Sequence, residues 1–310
     1  MQQQLPVDAE YWMSPENYFV TEEEAKGLRV KNSVAYHSVL PQWLENMQAN
    51  LPVAEQHESV TSLFGKWQDE KCIVCGAGES IKGKSKYIRE AQIGGWRVIA
   101  VDRIHGYLKS AGIVPDYTVS SDQSKRVLDF LYKVKKNDKL ILDMKMNPEV
   151  VEKLSWKPSR LFFYIPCNPF SDTTVKCFKE YPRKYFGLRA NYVVGSFATD
   201  VAIFMGCRKI VLIGHDLGWR TEEAIDTIYK IRPAVGGFTQ KLTHLKKQEI
   251  NEQTKKIEWD DFYTIDAFLG CADGMKRYLK WHPEVEFVNS SGGLLTFFKN
   301  MPFEKALEEE

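Results

Sequence analysis

Residues 71–80 join a short apolar run to a glycine turn, and their types suit the binding of an anion. The strand-like run Lys71–Cys75 leads into Gly76-Ala77-Gly78, which is followed by Glu79 and Ser80. Backbone N–H groups at a helix start favour negative charge, and glycines let the backbone approach a phosphate without a Cβ in the way. Glycine turns are common, so the prediction of an anion site at residues 76–80 depends on the context of this turn.

Acids follow three further strand-like runs, and these acids are the second candidate group. Asp102, Asp122 and Asp216 each come at or just after the end of such a run. In open parallel sheets, ligands bind outside the carboxyl ends of the strands, where acids hydrogen-bond ribose or hold a metal. Asp102 lies 24 residues after Gly78, close to the spacing of a ribose-binding acid. A single such acid commonly caps a helix, but three of them beside a glycine turn favour a nucleotide site, with a metal as an option.

A histidine beside one of these acids is the candidate general base. His215 directly precedes Asp216, and the ordinary pKa of histidine, about 6.5, suits proton transfer near neutral pH. A lone histidine is more often a structural hydrogen-bonding residue, and His105 and His244 are rival candidates for the base. The residue types alone leave these alternatives open.

A second glycine turn, Gly195-Ser196, opens an apolar segment that ends near Met205. If this segment is a helix, Ser196 or Thr199 is placed to donate a hydrogen bond to a phosphate or a sugar at its start. Ser196 also fits the simpler role of a helix N-cap, and both roles can coexist.

Apolar runs and helix-like stretches alternate from residue 71 onward. The predicted strands are Cys72–Cys75, Arg97–Val101, Tyr117–Ser120, Lys139–Leu142, Leu161–Ile165 and Lys209–Ile213. The predicted helices between them include Lys84–Gln92, Arg103–Ala111, Lys125–Val134 and Ser196–Met205. Near-continuous apolar strands separated by helices indicate an α/β fold, a doubly wound, mostly parallel, Rossmann-like sheet.

The sequence also predicts how the chain is divided. Residues 1–70 carry hydroxyl caps, acidic helix starts and helical spacing, and indicate a mostly helical N-terminal extension. Residues 71–305 form the nucleotide-binding domain, and residues 306–310 an acidic tail. Residues 219–262 interrupt the alternation and are predicted to be a helical insertion, which serves either as a lid over the ligand or as a solvated surface excursion.

Composition narrows the classes of protein that remain. The apolar fraction of 44% and the charged fraction of 27% are those of a soluble globular protein, and no apolar run is long enough to span a bilayer. Residues 71–310 carry a net charge of +8 without a basic stripe or nucleic-acid module, which suits a small anionic ligand and not nucleic acid. The six cysteines are scattered, so the pair Cys72 and Cys75 is expected to be buried and reduced, in a cytoplasmic protein.

Four blocks in this order resemble one known group. They are Gly76–Ser80, Gly112–Asp122, Gly195–Leu217 and Val288–Gly293. These blocks are similar to the Gly-x-Gly-Pro-Ser turn, the Gly-Ile-x-Pro-Asp segment, the Gly-x-Asp-Leu block and the Asn-x-Ser/Thr-x-Gly-Gly signature of the motility-associated-factor (Maf) glycosyltransferases and the related archaeal 6-hydroxymethylpterin pyrophosphokinase MptE. Glu79 stands where the group has proline, which puts a carboxylate where phosphate is expected.

The resemblance implies a fold related to bacterial sialyltransferases and a transferase activity. It favours transfer of a sugar, with a nonulosonic acid as candidate, from a CMP-activated donor to a glycan or protein hydroxyl. Residues 76–80 and Ser196 would bind the phosphate, Asp102, Asp122 and Asp216 would position ribose, base or acceptor, and His215 would be the base. The alternative is Mg²⁺-dependent diphosphate transfer from ATP to a pterin-like alcohol, with Asp102, Asp122 and Asp216 holding the metal. In that reaction Lys82, Lys84 or Lys86 would add charge, and Trp96 and Tyr107 could stack on the heterocycle. A third alternative is nucleotide binding without turnover.

Overall fold

Strands and helices alternate along most of the chain. The computed structural model describes residues 40–156, 160–168, 172–189, 193–220, 242–250 and 257–309. The strands are β1 (Glu58–Ser59), β2 (Lys71–Cys75), β3 (Arg97–Val101), β4 (Tyr117–Ser120), β5 (Lys139–Asp143), β6 (Arg160–Cys167), β7 (Phe186–Arg189), β8 (Lys209–Ile213), β9 (Leu242–Ile250), β10 (Ile257–Ile265), β11 (Glu286–Asn289) and β12 (Lys299–Asn300). The helices are α1 (40–54), α2 (Ser85–Ile93), α3 (Asp102–Ser110), α4 (Val127–Phe130), α5 (Pro148–Ser155), α6 (Asp172–Glu180), α7 (Val194–Phe204), α8 (Asp266–Lys276), α9 (Tyr278–Trp281) and α10 (Phe303–Glu308).

Ten of the strands form one sheet in the order β1-β6-β5-β4-β3-β2-β8-β11-β12, with β7 paired to β6. Its pairings are parallel throughout, and helices cover both faces. The order reverses at β2, because β3 lies on one side of it and β8 on the other. This reversal is the topological switch point at which doubly wound sheets bind ligands. The predicted fold class is therefore confirmed.

The hydrophobic pattern explains why the central elements form where they do. In β2, β3 and β5 every residue after the first is buried, as expected for parallel strands that helices cover on both faces. In α7 every residue from Gly195 to Phe204 is buried, so this helix lies inside the molecule. All six predicted strands are present, and α2, α3 and α7 begin and end within two residues of prediction. The helix expected over Lys125–Val134 is shorter and covers only α4.

In the described part of the N-terminal region, residues 40–54 form α1, which packs on the main domain, and the mostly helical character expected of residues 1–70 stays a prediction. Asn50 Nδ2 donates to the carbonyl oxygens of Met144 and Met146, each at 2.9 Å, and Asn46 Nδ2 donates to that of Lys145 at 2.9 Å. Strand β1 follows α1 and pairs with β6 at the edge of the sheet. The division of the chain at residue 70 stays a prediction.

The expectation of a helical insertion over residues 219–262 is wrong for its described part. Strands β9 and β10 form a two-stranded antiparallel sheet there, and Trp219 pairs with Tyr263 at its base. The polar composition suggested a helix, but Leu242–Ile250 pairs along its whole length with Ile257–Ile265 in an antiparallel register. Residues 221–241 and 251–256 of the insertion, like residues 1–39, lie outside the described residues.

The six cysteines are all free and buried, as expected for Cys72 and Cys75. Burial raises the pKa of both thiols, so they pack as small apolar side chains. Within the described ranges, no helix has both the length and the apolar character required to cross a membrane. A cytoplasmic location stays a prediction.

Candidate functional site at the switch point

The loops that follow β2 and β8 interlock at the switch point. The Gly76 N–H donates to the Ile213 carbonyl at 2.7 Å, and the Gly78 N–H donates to the Gly214 carbonyl at 2.8 Å. A Cβ on Gly76 would lie 2.2 Å from the Gly214 carbonyl oxygen, which is closer than any side chain tolerates. These glycines are therefore required for contact between the two loops, and the side on which a Cβ would stand faces β8 and not an open cradle.

Asp216 holds the glycine turn in place. Its Oδ2 accepts hydrogen bonds from Ser80 Oγ at 3.0 Å and from the Ser80 N–H at 3.3 Å, while the Gly214 N–H donates to Ser80 Oγ at 3.0 Å. A Cβ on Gly78 would lie 1.7 Å from Asp216 Oδ2. Burial raises the pKa of Asp216, and the bonds from Ser80 oppose that rise. Asp216 thus fixes the shape of the turn that the sequence predicted to bind phosphate.

The loop after β11 packs on the other side of the loop that carries Asp216. Ser291 Oγ accepts a hydrogen bond from the His215 N–H at 2.8 Å, and the Leu294 N–H donates to the Asp216 carbonyl at 3.2 Å. A Cβ on Gly293 would lie 1.7 Å from the Asp216 carbonyl oxygen. Three neighbouring parallel strands, β2, β8 and β11, therefore supply one rigid set of loops at their carboxyl ends.

The glycine turn does not run straight into an α-helix. A 3-10 turn over Glu79–Ile81 follows it, and α2 begins only at Ser85, after Gly83 with a φ of 77°. The Ser80 hydrogen bonds to Asp216 hold this geometry. An anion bound at this turn would therefore contact loop N–H groups and not the start of an α-helix, and anion binding itself stays a prediction. Within the described part of the chain, the N–H of exposed Ala77 has no hydrogen-bond acceptor.

Glu79 does not occupy the position where phosphate was expected. Its side chain is 61% exposed, and its Oε1 pairs with Lys82 Nζ at 2.7 Å. The carboxylate points along the outer surface of the turn, so the replacement of proline by Glu79 leaves the turn open to an anion. The three lysines predicted to add charge each lie near an acid: Lys82 and Glu79, Lys84 and Glu304, Lys86 and Glu90.

His215, the predicted base, is enclosed by the loops. A Cβ on Gly195 would lie 2.7 Å from His215 Cε1, and one on Gly76 would lie 3.0 Å from its Cδ2. Burial lowers the pKa of His215 to about 4, and a backbone hydrogen bond with Val74 opposes that change only in part. His215 Nε2 has no hydrogen-bond partner among the described residues. The imidazole is therefore neutral near pH 7 and packs α7 against the switch point.

Asp102 is the buried acid at the carboxyl end of β3. Its Oδ2 accepts from Ser120 Oγ at 2.5 Å, and its Oδ1 accepts from the Arg103 N–H at 2.6 Å. Burial raises the pKa of Asp102 to about 6, and both hydrogen bonds oppose the rise. Three other buried acids have a cation within 4 Å: Asp138 has Lys109, Asp143 has Lys145 and Asp200 has Arg189. Asp102 has no cation within 4 Å among the described residues, so no ion pair offsets the free-energy cost of burying its carboxyl group.

The three predicted acids do not form one metal-binding cluster among the described residues, although the charge of Asp122 contributes to the raised pKa of Asp102. Asp122 is exposed and its Oδ1 accepts from the Ser124 N–H at 2.9 Å, while Asp102 and Asp216 are bound to Ser120 and Ser80. Within the described ranges, no group of three or more His, Cys, Asp or Glu side chains could hold a metal ion. These side chains alone do not fit a metal site, and the involvement of Mg²⁺ stays a prediction.

The hydroxyls at the start of α7 are used within the helix. Ser196 Oγ donates to the Val193 carbonyl at 2.7 Å, and Thr199 Oγ1 donates to the Gly195 carbonyl at 2.9 Å. Both residues are fully buried. Contact of Ser196 or Thr199 with a ligand stays a prediction, and the hydrogen bonds seen here support their structural role.

The remaining candidates lie away from the switch point. His105 is buried, with its Nδ1 2.9 Å from Thr118 Oγ1 and its Nε2 3.8 Å from Asp138 Oδ2. Trp96 is 8% exposed and Tyr107 40% exposed, so of the two only Tyr107 presents a ring to solvent. His244 lies on β9, and its side chain is not among those that the structure describes.

A fourth strand-end acid was missed by the sequence reasoning. Asp143 ends β5, is buried, and pairs with Lys145 Nζ at 3.3 Å. Lys145 Nζ also lies 4.5 Å from the ring centroid of Trp43 on α1. The signal was present, because Leu140–Asp143 is an apolar run ending in an acid like the other three.

The carboxyl edge of the sheet is also distinct from an open cavity at the opposite edge. That cavity, of about 370 Å³, is lined by residues near the amino ends of β2, β8 and β11. Its charged groups pair with each other: Arg208 Nη1 lies 3.7 Å from Asp69 Oδ1, and Lys209 Nζ lies 3.7 Å from Glu286 Oε2. The glycine turn and the strand-end acids that the sequence singled out lie at the carboxyl edge.

Comparison with known proteins agrees with this geometry. A model of the family described as 6-hydroxymethylpterin diphosphokinase MptE-like matches residues 45–222, a span that contains the glycine turn and all four strand-end acids. A solved structure of a MAf glycosyltransferase from Magnetospirillum magneticum AMB-1 is similar, with a TM-score of 0.56 and 18% identity. That alignment covers 80% of this chain and 35% of the other, and at this identity it shows a shared fold. No curated protein matches the chain.

Proposed function

The chain belongs to the 6-hydroxymethylpterin diphosphokinase MptE-like family, and we propose that it is a transferase whose nucleotide donor binds at the β2/β8 switch point. The observation that carries this proposal is the interlocked set of loops at residues 76–80, 214–216 and 291–293. Hydrogen bonds fix the turn before any ligand arrives, and the turn presents the Ala77 N–H on the exposed side. A preorganised N–H donor stabilises charge on a leaving phosphate without reorganising.

The group transferred is, in this proposal, a sugar from a CMP-type donor. Sugar transfer from such a donor needs no metal held by the protein. The spread of Asp102, Asp122 and Asp216, with Asp216 engaged by Ser80, supports this choice. The acceptor is then a hydroxyl of a glycan or of a protein.

Either transfer requires the acceptor hydroxyl to give up a proton. His215 is poorly suited to accept it, because its pKa is about 4. Asp102 is as buried as His215, but its pKa of about 6 lies closer to neutral pH, and no cation lies within 4 Å of it among the described residues. We therefore assign the proton-accepting role to Asp102 and a packing role to His215.

Diphosphate transfer from ATP to a pterin-like alcohol is the second candidate, and the family model supports it. In that reaction Mg²⁺ would neutralise the phosphates, with Asp122 as the exposed acid best placed to share it. One set of titrations separates the two candidates. CMP, CDP, UDP and ATP are each titrated by calorimetry with and without Mg²⁺.

Preference for CMP with little dependence on Mg²⁺ is the result expected from sugar transfer. Tight ATP binding that requires Mg²⁺ would instead establish the diphosphate reaction, and Asp122→Asn should then weaken the dependence on Mg²⁺. Binding without transfer to any hydroxyl in a broad acceptor panel would identify a nucleotide-binding protein without turnover. Absence of binding by all four nucleotides would refute the proposal.

A further inference from the structure

Arg220 lies beside the switch point, although no motif in the sequence singled it out. The chain leaves β8 through Asp216, takes a positive φ of 53° at Leu217, and pairs Trp219 with Tyr263. This path returns Arg220 toward the loop after β11, where its Nη2 lies 3.4 Å from the position of a Cβ on Gly292. The guanidinium therefore lies beside Gly292, in one of the three loops that build the candidate site.

The charge of Arg220 acts on the centre of that site. It lowers the pKa of Asp216, against the rise that burial causes, so the two groups attract each other. Asp216 Oδ2 in turn bonds Ser80 and lies beside Gly78. The glycine turn, Asp216 and Arg220 thus form one continuous row at the carboxyl ends of β2 and β8.

Two lysines near the turn each pair with an acid. Lys82 Nζ lies 2.7 Å from Glu79, and Lys84 Nζ lies 2.6 Å from Glu304. A nucleotide phosphate bound at this turn carries negative charge that one backbone N–H and a nearby carboxylate do not neutralise. An exposed guanidinium presents a planar fork of donors that matches a phosphate.

We propose that Arg220 binds the phosphate of the nucleotide donor at the switch point. The inference rests on the proposed function, since it presumes a nucleotide there, and it adds a specific residue outside the sequence motifs. Arg220 selects for phosphorylated ligands over the corresponding nucleosides. Its position four residues after Asp216 places the strand-end acid and the phosphate-binding cation on one loop.

The test compares nucleotides with nucleosides in wild type and variants. Calorimetric titrations of CMP, ATP, cytidine and adenosine are made for wild type, Arg220→Ala, Arg220→Lys and the control Lys153→Ala, an exposed lysine on α5. We expect Arg220→Ala to weaken binding of the preferred nucleotide by about tenfold or more, as loss of a charge-assisted contact does. Nucleoside binding should not change, Arg220→Lys should recover part of the loss, and Lys153→Ala should bind like wild type.

The outcomes separate failure of this inference from failure of the proposed function. If wild type binds no nucleotide, the proposed function and the inference both fall. If wild type binds and Arg220→Ala binds the nucleotide equally well, the inference is wrong and the proposed function stands. An equal loss for nucleotide and nucleoside would also overturn it, because Arg220 would then act on the base or on the fold. Circular dichroism and thermal midpoints of the variants show whether folding has changed; none is expected to change, since Arg220 is exposed.

Discussion

At the scale of single residues, the environment of each titratable group decides its role more than its type does. His215 has the ordinary pKa of a base near neutrality as a free side chain, but burial lowers its pKa to about 4 in this fold. Asp102 would be a routine helix cap if exposed, but burial raises its pKa to about 6 against the hydrogen bonds from Ser120 and Arg103. The proton-accepting role that we propose is therefore assigned to the acid and not to the histidine.

The raised pKa of Asp102 predicts how the free energy of unfolding changes with pH. Its folded-state pKa lies above the unfolded value of about 3.9, so the folded protein binds the extra proton between about pH 4 and pH 6. Wild type should therefore lose stability as pH rises through this window, by about 2 to 3 kcal/mol from this group. The variant Asp102→Asn should lack this loss, as measured by urea denaturation at pH 4, 5, 6 and 7.

The matched control is Asp122→Asn, because Asp122 is exposed at the same edge. Its free energy of unfolding should follow that of wild type at every pH. Parallel pH curves for wild type and Asp102→Asn would show that Asp102 ionises in the folded protein as it does in the unfolded chain.

At the scale of elements, the site is formed by contacts between loops and not by one motif. The turn after β2 has its shape because the loop after β8 fills the space on its Cβ side. The 3-10 turn after the glycines follows from the Ser80 bonds to Asp216. The order of β2, β8 and β11 in the sheet therefore matters as much as the glycines themselves.

Gly76→Ala should break this contact between loops. The new Cβ would lie 2.2 Å from the Gly214 carbonyl oxygen, which is backbone and cannot rotate away. We expect the free energy of unfolding to fall by about 2 kcal/mol, the size typical of core overpacking, and nucleotide binding to be lost. Gly94→Ala is the control, because its nearest contact would be 3.3 Å away and it lies at the end of α2. Equal stability of the two variants would contradict the close contact.

Ser80→Ala tests the polar half of the same contact. It removes the hydroxyl that donates to Asp216 and accepts from Gly214, and leaves both groups partly buried without that partner. The expected loss is about 1 to 3 kcal/mol in urea denaturation. Ser155→Ala, at an exposed helix end, should change stability by less than about 0.5 kcal/mol. A loss at residue 80 no larger than that would show that the Ser80 contact does not stabilise the fold.

At the scale of the whole molecule, α1 and the sheet behave as one folding unit. Two buried asparagines on α1 satisfy carbonyl groups in the loop after β5, where Asp143 and Lys145 lie. Trp43 on the same helix packs against Lys145. The N-terminal helix therefore supports the carboxyl edge of the sheet from outside the sheet itself.

Asn50→Ala should destabilise the whole protein. It leaves the Met144 and Met146 carbonyls without their donor, and the cost is about 1 to 3 kcal/mol. Unfolding followed by tryptophan fluorescence and by circular dichroism should give one coincident transition, shifted relative to wild type. Gln48→Ala, an exposed position on α1, is the control. Two separate transitions would show that α1 and the sheet unfold independently.

The sequence by itself determined the doubly wound class, the six central strands and the residues at their carboxyl ends. It could do so because buried parallel strands are continuous apolar runs, and their ends are marked by glycines and acids close in the chain. Asp143 was equally visible in this pattern and could have been included.

Only the tertiary structure decided what those residues do. The contact between Asp216 and Ser80 joins residues that lie 136 apart in the chain. The position of Arg220 depends on the strand pairing of Trp219 with Tyr263. No local sequence pattern encodes either feature. The hairpin β9–β10 likewise depends on cross-strand partners. Burial, which sets the pKa values of His215 and Asp102, is a property of the packed molecule, and so the choice of base could not be read from residue types.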